Sequence, residues 1–252
     1  MRTDGLTVDR IKNDIALTIV EREHYLHRKC PCTQAYGLFD RDKRIVGVII
    51  YGCPASMPLK SGICGKAESE HVTELKRLWI EDGVPNYPES LLIGQSLKMM
   101  RIDHPELDII VSYADKGFGH VGTVYQATNW IYTGFSAQRI DYFDASAKDK
   151  DPFTTSDRLI KTYGSIRKAR EVLGDNLQVR PRGQKHRYVF FNTKSRQRKR
   201  YLMSQLRYGQ EPYPKTDVRA ITGGSSQNRI DKWCKIENEV RNERFEEVSV
   251  LR

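Results

Sequence analysis

The sequence predicts a mixed α/β domain in which a central sheet carries helices on both faces. Three observations lead there. β-rich runs alternate with helical stretches through most of the 252 residues. Two of the runs, "IVGVIIY" at 45–51 and "LDIIV" at 107–111, look buried along their length and argue for a real core. In "AYGLFDRDKRIVGVIIYG" a charged turn joins two β-rich runs, which is the pattern of a hairpin.

The elements follow in order. Residues 6–11 read as a short strand. "NDIALTIVEREHYL" reads as a helix with Asn13 as N-cap, Ile15, Ile19 and Val20 roughly on one face, and an end near His24 and Tyr25. After the hairpin, Pro54 and Pro58 break regular structure and "KSGICGKAESE" reads as a loop. In "HVTELKRLWIED", Val72, Leu75, Leu78 and Ile80 suggest a strand of imperfect phase. "GVPNYPES" is a turn-rich connection to a helix, "SLLIGQSLKMMRI", with Ser90 as its N-cap. "LDIIVSYAD" is a strand, and another helix starts after Gly117 and Gly119. "DASAKDKDPFTTSD" reads as a loop, and "SDRLIKTYGSIRKAREVLG" as helical with Ser156 or Asp157 as cap. "KHRYVFFN" serves as a further strand of the same sheet. "KSRQRKRYLMSQLRYG" is a basic helix with Tyr201, Leu202, Leu206 and Met203 inward.

One domain over 1–214 accommodates this order, with a basic insertion or extension at about 145–210. A separate basic domain beyond residue 150 is the alternative. The tail, 215–252, reads as a flexible link followed by a short helix around 233–245.

Composition narrows the function classes. No apolar stretch approaches the ~20 residues that span a bilayer, and "MRTDGLTVDRIKND" has no apolar signal core. The expectation is a cytosolic protein with no membrane partner. Five cysteines without a regular framework argue against a disulfide scaffold. Cys30 and Cys32 with His24 or His27 could frame a zinc site. Their C-P-C spacing is not the usual C-x₂-C, however, and reduced thiols are expected. The net charge of +10 is unevenly placed, because between 158 and 208 fifteen Lys or Arg face only Glu171 and Asp175. Such a block either keeps a surface solvated or binds a polyanion. The interleaved Tyr188, Phe190, Phe191, Tyr201 and Tyr208 favour nucleic acid, with Arg182, Lys185, Arg187, Arg196, Arg198, Lys199 and Arg200 as the phosphate-contacting candidates.

Several residues could carry chemistry. Asp115 stands where a strand hands over to a glycine-rich loop, and ligands of open α/β sheets bind outside the carboxyl ends of strands. A carboxylate there can act as a base, bind a metal or stabilise a turn. His120 lies near the start of the next helix, where a cap role and proton transfer are both open. His24, Tyr25 and His27 offer nitrogen and phenolate ligands for a transition metal, although histidines at that spacing also arise by chance. Arg77 is either a surface charge or an anion clamp. The "NYPES" turn, with Asn86, Glu89 and Ser90, exposes helix-start N–H groups that could hold an anionic cofactor. There is no GxxxxGK[ST] loop, no GxGxxG after the first strand and no DPPY-like tetrapeptide, which disfavours an ordinary S-adenosylmethionine methyltransferase.

Longer stretches carry a resemblance. "EHYLHRK", "YGLFDRDKRIVGVIIYG", "ELKRLWIEDGVPNYPESLLIGQSLKMMR", "IIVSYADKGFGHVGTVYQATNWIYTG" and "KHRYVFF" are collinear with the Mom family of phage DNA-modification proteins, which the chain resembles over roughly 15–145 and near Tyr188. The resemblance implies an N-acetyltransferase-like (GNAT) fold. It also implies conversion of adenine in double-stranded DNA to N6-carbamoylmethyladenine, in the host cytoplasm, which blinds restriction enzymes to phage DNA. His24, Tyr25, Arg77, Ser90, Asp115 and Tyr125 match the family's functional residues. Iron dependence is implied too, with His24 and Tyr25 as the candidate ligands.

The chain departs from acetyl-CoA enzymes of that fold, which usually carry R/Q-x-x-G-x-G/A before the central helix. "VPNYPES" has no glycine pair, so the donor stays open, acetyl-CoA included. A conventional N-acetyltransferase for a protein or small amine, and a non-enzymatic DNA-binding protein, are the rival readings. Assembly as a homodimer is open.

Overall fold

The computed structural model describes residues 5–85, 87–116, 119–147 and 155–215. The chain begins with β1 (Thr7–Ile11), α1 (Asn13–Glu23) and the hairpin strands β2 (Gln34–Phe39) and β3 (Ile45–Gly52). Next come α2 (Met57–Cys64), β4 (Val72–Ile80), α3 (Pro88–Asp103) and β5 (Ile109–Asp115). A short α4 (Thr123–Ala127) precedes β6 (Ile131–Phe135). β7 (Arg139–Asp144), α5 (Thr155–Tyr163), α6 (Ile166–Leu173) and β8 (Leu177–Arg182) form a side unit. β9 (Lys185–Phe191) then returns to the main sheet, and α7 (Arg196–Gln205) packs beside α2.

Seven strands form the central sheet in the order β1-β2-β3-β4-β5-β9-β6, while β7 and β8 pair separately. Neighbours in the main sheet are antiparallel except β4 and β5, which are parallel. The sheet is therefore mixed, with helices on both faces, as the element order predicts. Val48 and Ile50 of β3 pack with Ala16 and Val20 of α1, whereas Ile49 and Tyr51 pack with Leu92, Ile93 and Met100 of α3. A strand covered on both faces needs a continuous apolar run, which explains "IVGVIIY". Farther along, Ile63 and Cys64 of α2 and Leu202 of α7 cover Ile109, Val111, Val189 and Phe191. Burying each large side chain of these clusters contributes about 1.5–3 kcal/mol.

Several sequence expectations need correction. Residues 57–64 are helical rather than a loop, because Pro58 lies in the first turn, where no N–H is required of it. Asn13 is the first residue of α1, with Lys12 as N-cap. Ser90 is not a cap: α3 starts at Pro88 behind Tyr87, which is left-handed at φ 54. The single helix expected over 156–174 is two, broken at Gly164 (φ +81), and Ser165 caps the second by accepting from Lys168 N–H at 3.2 Å. On α7 only Leu202 is fully buried; Tyr201 and Met203 are 44% and 38% exposed. The side unit runs from β7 to β8, so β9 and α7, inside the basic stretch of the sequence, belong to the main sheet and its cover. The helix expected around 233–245 lies outside the described residues.

Polar contacts tie α7 down. Arg198 donates to Asp108 at 2.8 Å and to Glu68 at 2.6 Å, and Tyr201 O–H donates to Glu68 at 3.1 Å. Arg198 holds the Glu68 carboxyl below its ordinary value of 4.5. A depressed carboxylate contributes stability that is present above its unfolded pKa and is lost as pH falls through the folded value. Arg198→Met should therefore lower urea-unfolding stability by about 1–3 kcal/mol at neutral pH. The difference from wild type should shrink below about pH 4. A difference independent of pH would contradict the ion-pair account.

Candidate active site

β4 and β5 pair only through Val72–Leu75 against Ile109–Ser112. Beyond that point β4 follows β3, with Arg77 opposite Ile50 and Ile80 opposite Gly47. β5 instead follows β9, with Tyr113, Ala114 and Asp115 opposite Arg187, His186 and Lys185. The two strands part, and the sheet opens at their carboxyl ends. A β-bulge adds to this: Leu75 pairs with Tyr51 and Arg77 with Ile50, so Lys76 is the extra residue. The bulge is why Leu75 and Leu78 both reach the α3-side core, and it explains the imperfect phase of the sequence. It also brings Lys76 against Glu74, Nζ to carboxylate 2.7 Å, in a largely buried pair beside Arg77.

α1 delivers two residues to this opening. His24 ends the helix, its N–H bonded to Val20 O at 3.2 Å, and its ring stacks on Tyr25 at 4.3 Å between centroids. Tyr25 in turn lies 5.7 Å from the His120 ring. Burial, reinforced by Arg77, His120 and His27, pushes the His24 pKa down to about 3, so its imidazole is neutral at physiological pH. Burial raises the Tyr25 phenol, with Asp115 and Tyr125 adding to the rise and Arg77 opposing it. Asp115 of β5, Arg77 of β4 and Tyr125 of α4 thus lie within electrostatic range of Tyr25.

Each neighbour is held. Asp115 pairs with Lys185 at 2.9 Å, and its backbone carbonyl accepts from His120 N–H at 3.1 Å. Arg77 Nη1 donates to Lys76 O at 2.8 Å, while its buried Nε has no hydrogen-bond partner among the described residues. Tyr125 packs on Trp130 and Tyr188, each 5.1 Å away, and burial pushes its hydroxyl up to about 12. Ser112 Oγ lies 2.8 Å from that hydroxyl and 3.0 Å from the Leu75 carbonyl, at the last paired residues before the fork.

The structure thus gathers His24, Tyr25, Arg77, Asp115 and Tyr125. Ser90 and Glu89 stand in the first turn of α3, where Ser90 N–H and Leu91 N–H both bond to Tyr87 O, at 3.1 and 3.3 Å, and Pro88 has no N–H. That leaves few free amides for a pyrophosphate at this helix start. Asn86 lies outside the described residues. Ser112, Glu74 and Lys76 escaped the sequence reading, and Cys30 entered it only as a candidate zinc ligand or a reduced thiol. Cys30 is within electrostatic range of Arg77, Lys76 and Glu74, and burial raises its thiol pKa. The proline-stiffened C-P-C run was its only sequence signal.

The expected DNA-contacting residues divide. Arg196, Lys199 and Arg200 line one exposed face of α7 with Met203. Arg182 is exposed on β8. Arg198 is committed to Glu68 and Asp108, and Lys185 to Asp115. Arg187 is buried: it bonds Thr133 O at 2.7 Å and Oγ1 at 2.9 Å and lies 3.3 Å over the Tyr208 ring. A guanidinium so placed serves packing rather than phosphates.

For His24 to ligate iron alongside Tyr25, its local hydrogen bonding would have to change. His24 Nδ1 accepts from Leu26 N–H at 3.2 Å, which leaves the proton of the neutral ring on Nε2. A ligating imidazole instead donates its other N–H outward. Among the described residues no group of three or more His, Cys, Asp or Glu side chains is placed to hold a metal ion.

The fold and its cleft define a mixed α/β domain whose polar site lies where two parallel strands part. The chain belongs to the Mom protein family, whose model matches residues 5–215. Over 130 residues it is 30% identical to the methylcarbamoylase mom of Escherichia phage Mu, a match covering 51% of this chain and 54% of that protein. The chain thus spans about half the length of the curated relative it matches. Solved structures similar to it include N-acetyltransferases. The spermidine N-acetyltransferase of Vibrio cholerae aligns at TM-score 0.40 and 9% identity, over 77% of this chain and 98% of that one. An N-acetyltransferase of Staphylococcus aureus Mu50 aligns at TM-score 0.38 and 11% identity, over 74% and 97%.

The wall carrying Cys30 makes a local test possible. A Cβ at Gly52 would lie 2.0 Å from Pro31 O, a backbone atom that cannot swing aside. Gly52→Ala should displace the C-P-C run, destabilise the protein by about 1–3 kcal/mol and speed thiol labelling of Cys30. Unchanged labelling would mean that the run is held elsewhere.

Proposed function

We propose that this chain is a transferase that modifies duplex DNA, converting the exocyclic N6 amine of adenine to its carbamoylmethyl form and so hiding phage DNA from restriction enzymes. The observation that carries the reading is the convergence of Tyr25, Arg77, Asp115 and Tyr125 at the fork between β4 and β5. Family membership and the name of the phage Mu relative, a methylcarbamoylase, support the chemistry.

The adenine amine is a weak nucleophile, because its lone pair is delocalised into the ring, and it is paired within the duplex. It must leave the stack, at a cost of roughly a few kcal/mol. As N6 forms its new bond to the methylene carbon, that carbon's bond to the rest of the donor breaks, and the leaving group departs with the electron pair. N6 then sheds a proton, and Asp115 is the acceptor in this reading, held in place by Lys185. His24, neutral and buried, and the Tyr25 phenol frame the base without adding charge. Arg77, with Nε unpartnered among the described residues, binds the polar end of the donor. The donor itself is left unassigned, since the start of α3 presents few free amides. Phosphates are met outside the cleft by Arg196, Lys199 and Arg200.

Nucleosides from DNA of cells expressing the chain provide the test. Mass spectrometry should find adenosine heavier by a carbamoylmethyl group with the wild type and none with Asp115→Asn. Unmodified adenine beside abundant folded wild type, with an acetylated amine in the same cells, would favour a conventional N-acetyltransferase.

The α7 assignment has its own test. Replacing Arg196, Lys199 and Arg200 by Ala should flatten the slope of log affinity for DNA against log salt by about 0.9 for each phosphate left unneutralised. The flattening should come without the drop in stability expected of Arg198→Met. An unchanged slope would remove α7 from the interface.

A further inference from the structure

Ser112 is a hydroxyl where the strand pattern calls for an apolar side chain. Alternation along β5 puts it on the α3 side with Ile110 and Ala114, which both pack in the apolar core there, and it is only 1% exposed. A buried hydroxyl needs partners, and Ser112 finds them in the Leu75 carbonyl at 3.0 Å and the Tyr125 hydroxyl at 2.8 Å. Leu75 is also the β4 residue paired with Ser112, after which the two strands part. Ser112 thus stands at the last closed rung of the sheet, and Tyr125 reaches it from α4.

The direction of the second bond decides what Tyr125 can do. Ser112 has one proton and shares it between two oxygens: Oγ donates to Leu75 O and to the phenol oxygen of Tyr125. Tyr51, buried in the same core, shows the opposite arrangement. Ser96 Oγ lies 2.9 Å from the Tyr51 hydroxyl and donates to Ile93 O at 3.0 Å, so the Tyr51 proton goes to Ser96. The Tyr125 oxygen accepts instead, and its own proton is not taken up by Ser112. The ring is held by Trp130 and Tyr188, and the hydroxyl is within electrostatic range of Tyr25, Tyr51, Tyr188 and Glu74. Burial keeps the phenol neutral at physiological pH, and the bond from Ser112 works against that rise.

We propose that Ser112 is a positioning residue: by donating to the Tyr125 oxygen from the floor of the fork, it turns the Tyr125 proton towards the cleft, where Tyr125 meets the substrate as a hydrogen-bond donor. This deepens the reading of the fork as the active site and rests on it. A group that enters must present an acceptor to Tyr125. An unprotonated ring nitrogen of a nucleobase or a carbonyl oxygen qualifies, whereas an N–H does not.

The test places a difluorinated tyrosine at position 125, whose fluorines report ionisation by NMR and bring it nearer neutral pH. Removing the Ser112 donor with Ser112→Ala should raise the ionisation midpoint by about one pH unit, tenfold in the ionisation constant. Ser112→Thr, which keeps the hydroxyl, should restore it. A midpoint unchanged or lowered in folded Ser112→Ala would mean that Tyr125 donates to Ser112, and overturns the proposal. Should alanine unfold the fork, Ser112→Cys supplies the same comparison, because a thiol is a weak donor and the midpoint should again rise. In DNA from expressing cells, Ser112→Ala should lower modified adenine about as far as Tyr125→Phe, with the double variant no lower and Ser112→Thr near wild type. Losses that multiply in the double variant would show Ser112 acting apart from Tyr125, and also overturn the proposal. A wild type that modifies no DNA removes the function reading, while the titration still decides the bond between Ser112 and Tyr125.

Discussion

A parallel ladder of only four residue pairs, Val72–Leu75 against Ile109–Ser112, joins the two halves of the central sheet. β4 is then held by β3 and β5 by β9, and the opening between them follows from those two allegiances. Ser112 sits at the fork, within hydrogen-bond distance of both the Leu75 carbonyl and the Tyr125 hydroxyl, so the parting of the strands and the position of α4 are linked at one side chain. The bulge at Lys76 supplies the rest. It re-phases β4, so that Leu78 still enters the core while Glu74, Lys76 and Arg77 stay together beside the opening.

The cleft is polar yet nearly neutral. His24, Tyr25 and Tyr125 are each driven by burial towards their uncharged forms. The charges that remain come largely in pairs, Asp115 with Lys185 and Glu74 with Lys76. Arg77 adds one further positive charge, and in the proposed reading the nucleobase that enters brings none of its own, which would be costly to bury. Elsewhere, α7 carries four cations and no carboxylate, whereas the β7 and β8 strands set three Arg beside two Asp. In the proposed reading the α7 cations meet phosphates outside the cleft while one base comes in.

The fold was largely legible, and its misses have local causes. Continuous apolar runs marked β3 and β5, and helical spacing marked α3, because both signals come from burial on known faces. α2 was missed because Pro58 reads as a breaker although the first helical turn tolerates it. The ribbon strands β7 and β8 were missed because neither buries a residue fully and both mix charges with apolar residues, leaving no strong period. At the site, Asp115, Arg77, His24, Tyr25 and Tyr125 were all named, and the structure brings them together. The basic block was the least faithful guide. A run of Lys and Arg does not reveal which of them fold inward onto Thr133, Glu68 or Asp115.

By itself the sequence determined the fold class, the order of the main elements, the excess of positive charge and the residue types available for chemistry. These depend on hydrophobic periodicity and local turn chemistry, which are written along the chain. Only the tertiary structure decided that β4 and β5 part after Ser112, that Lys185 guards Asp115 rather than a phosphate, and that Arg187 and Arg198 are committed inside. Those outcomes depend on strand register and on which distant segment covers which face. Both are set by pairing between residues far apart in the chain, so no local pattern encodes them.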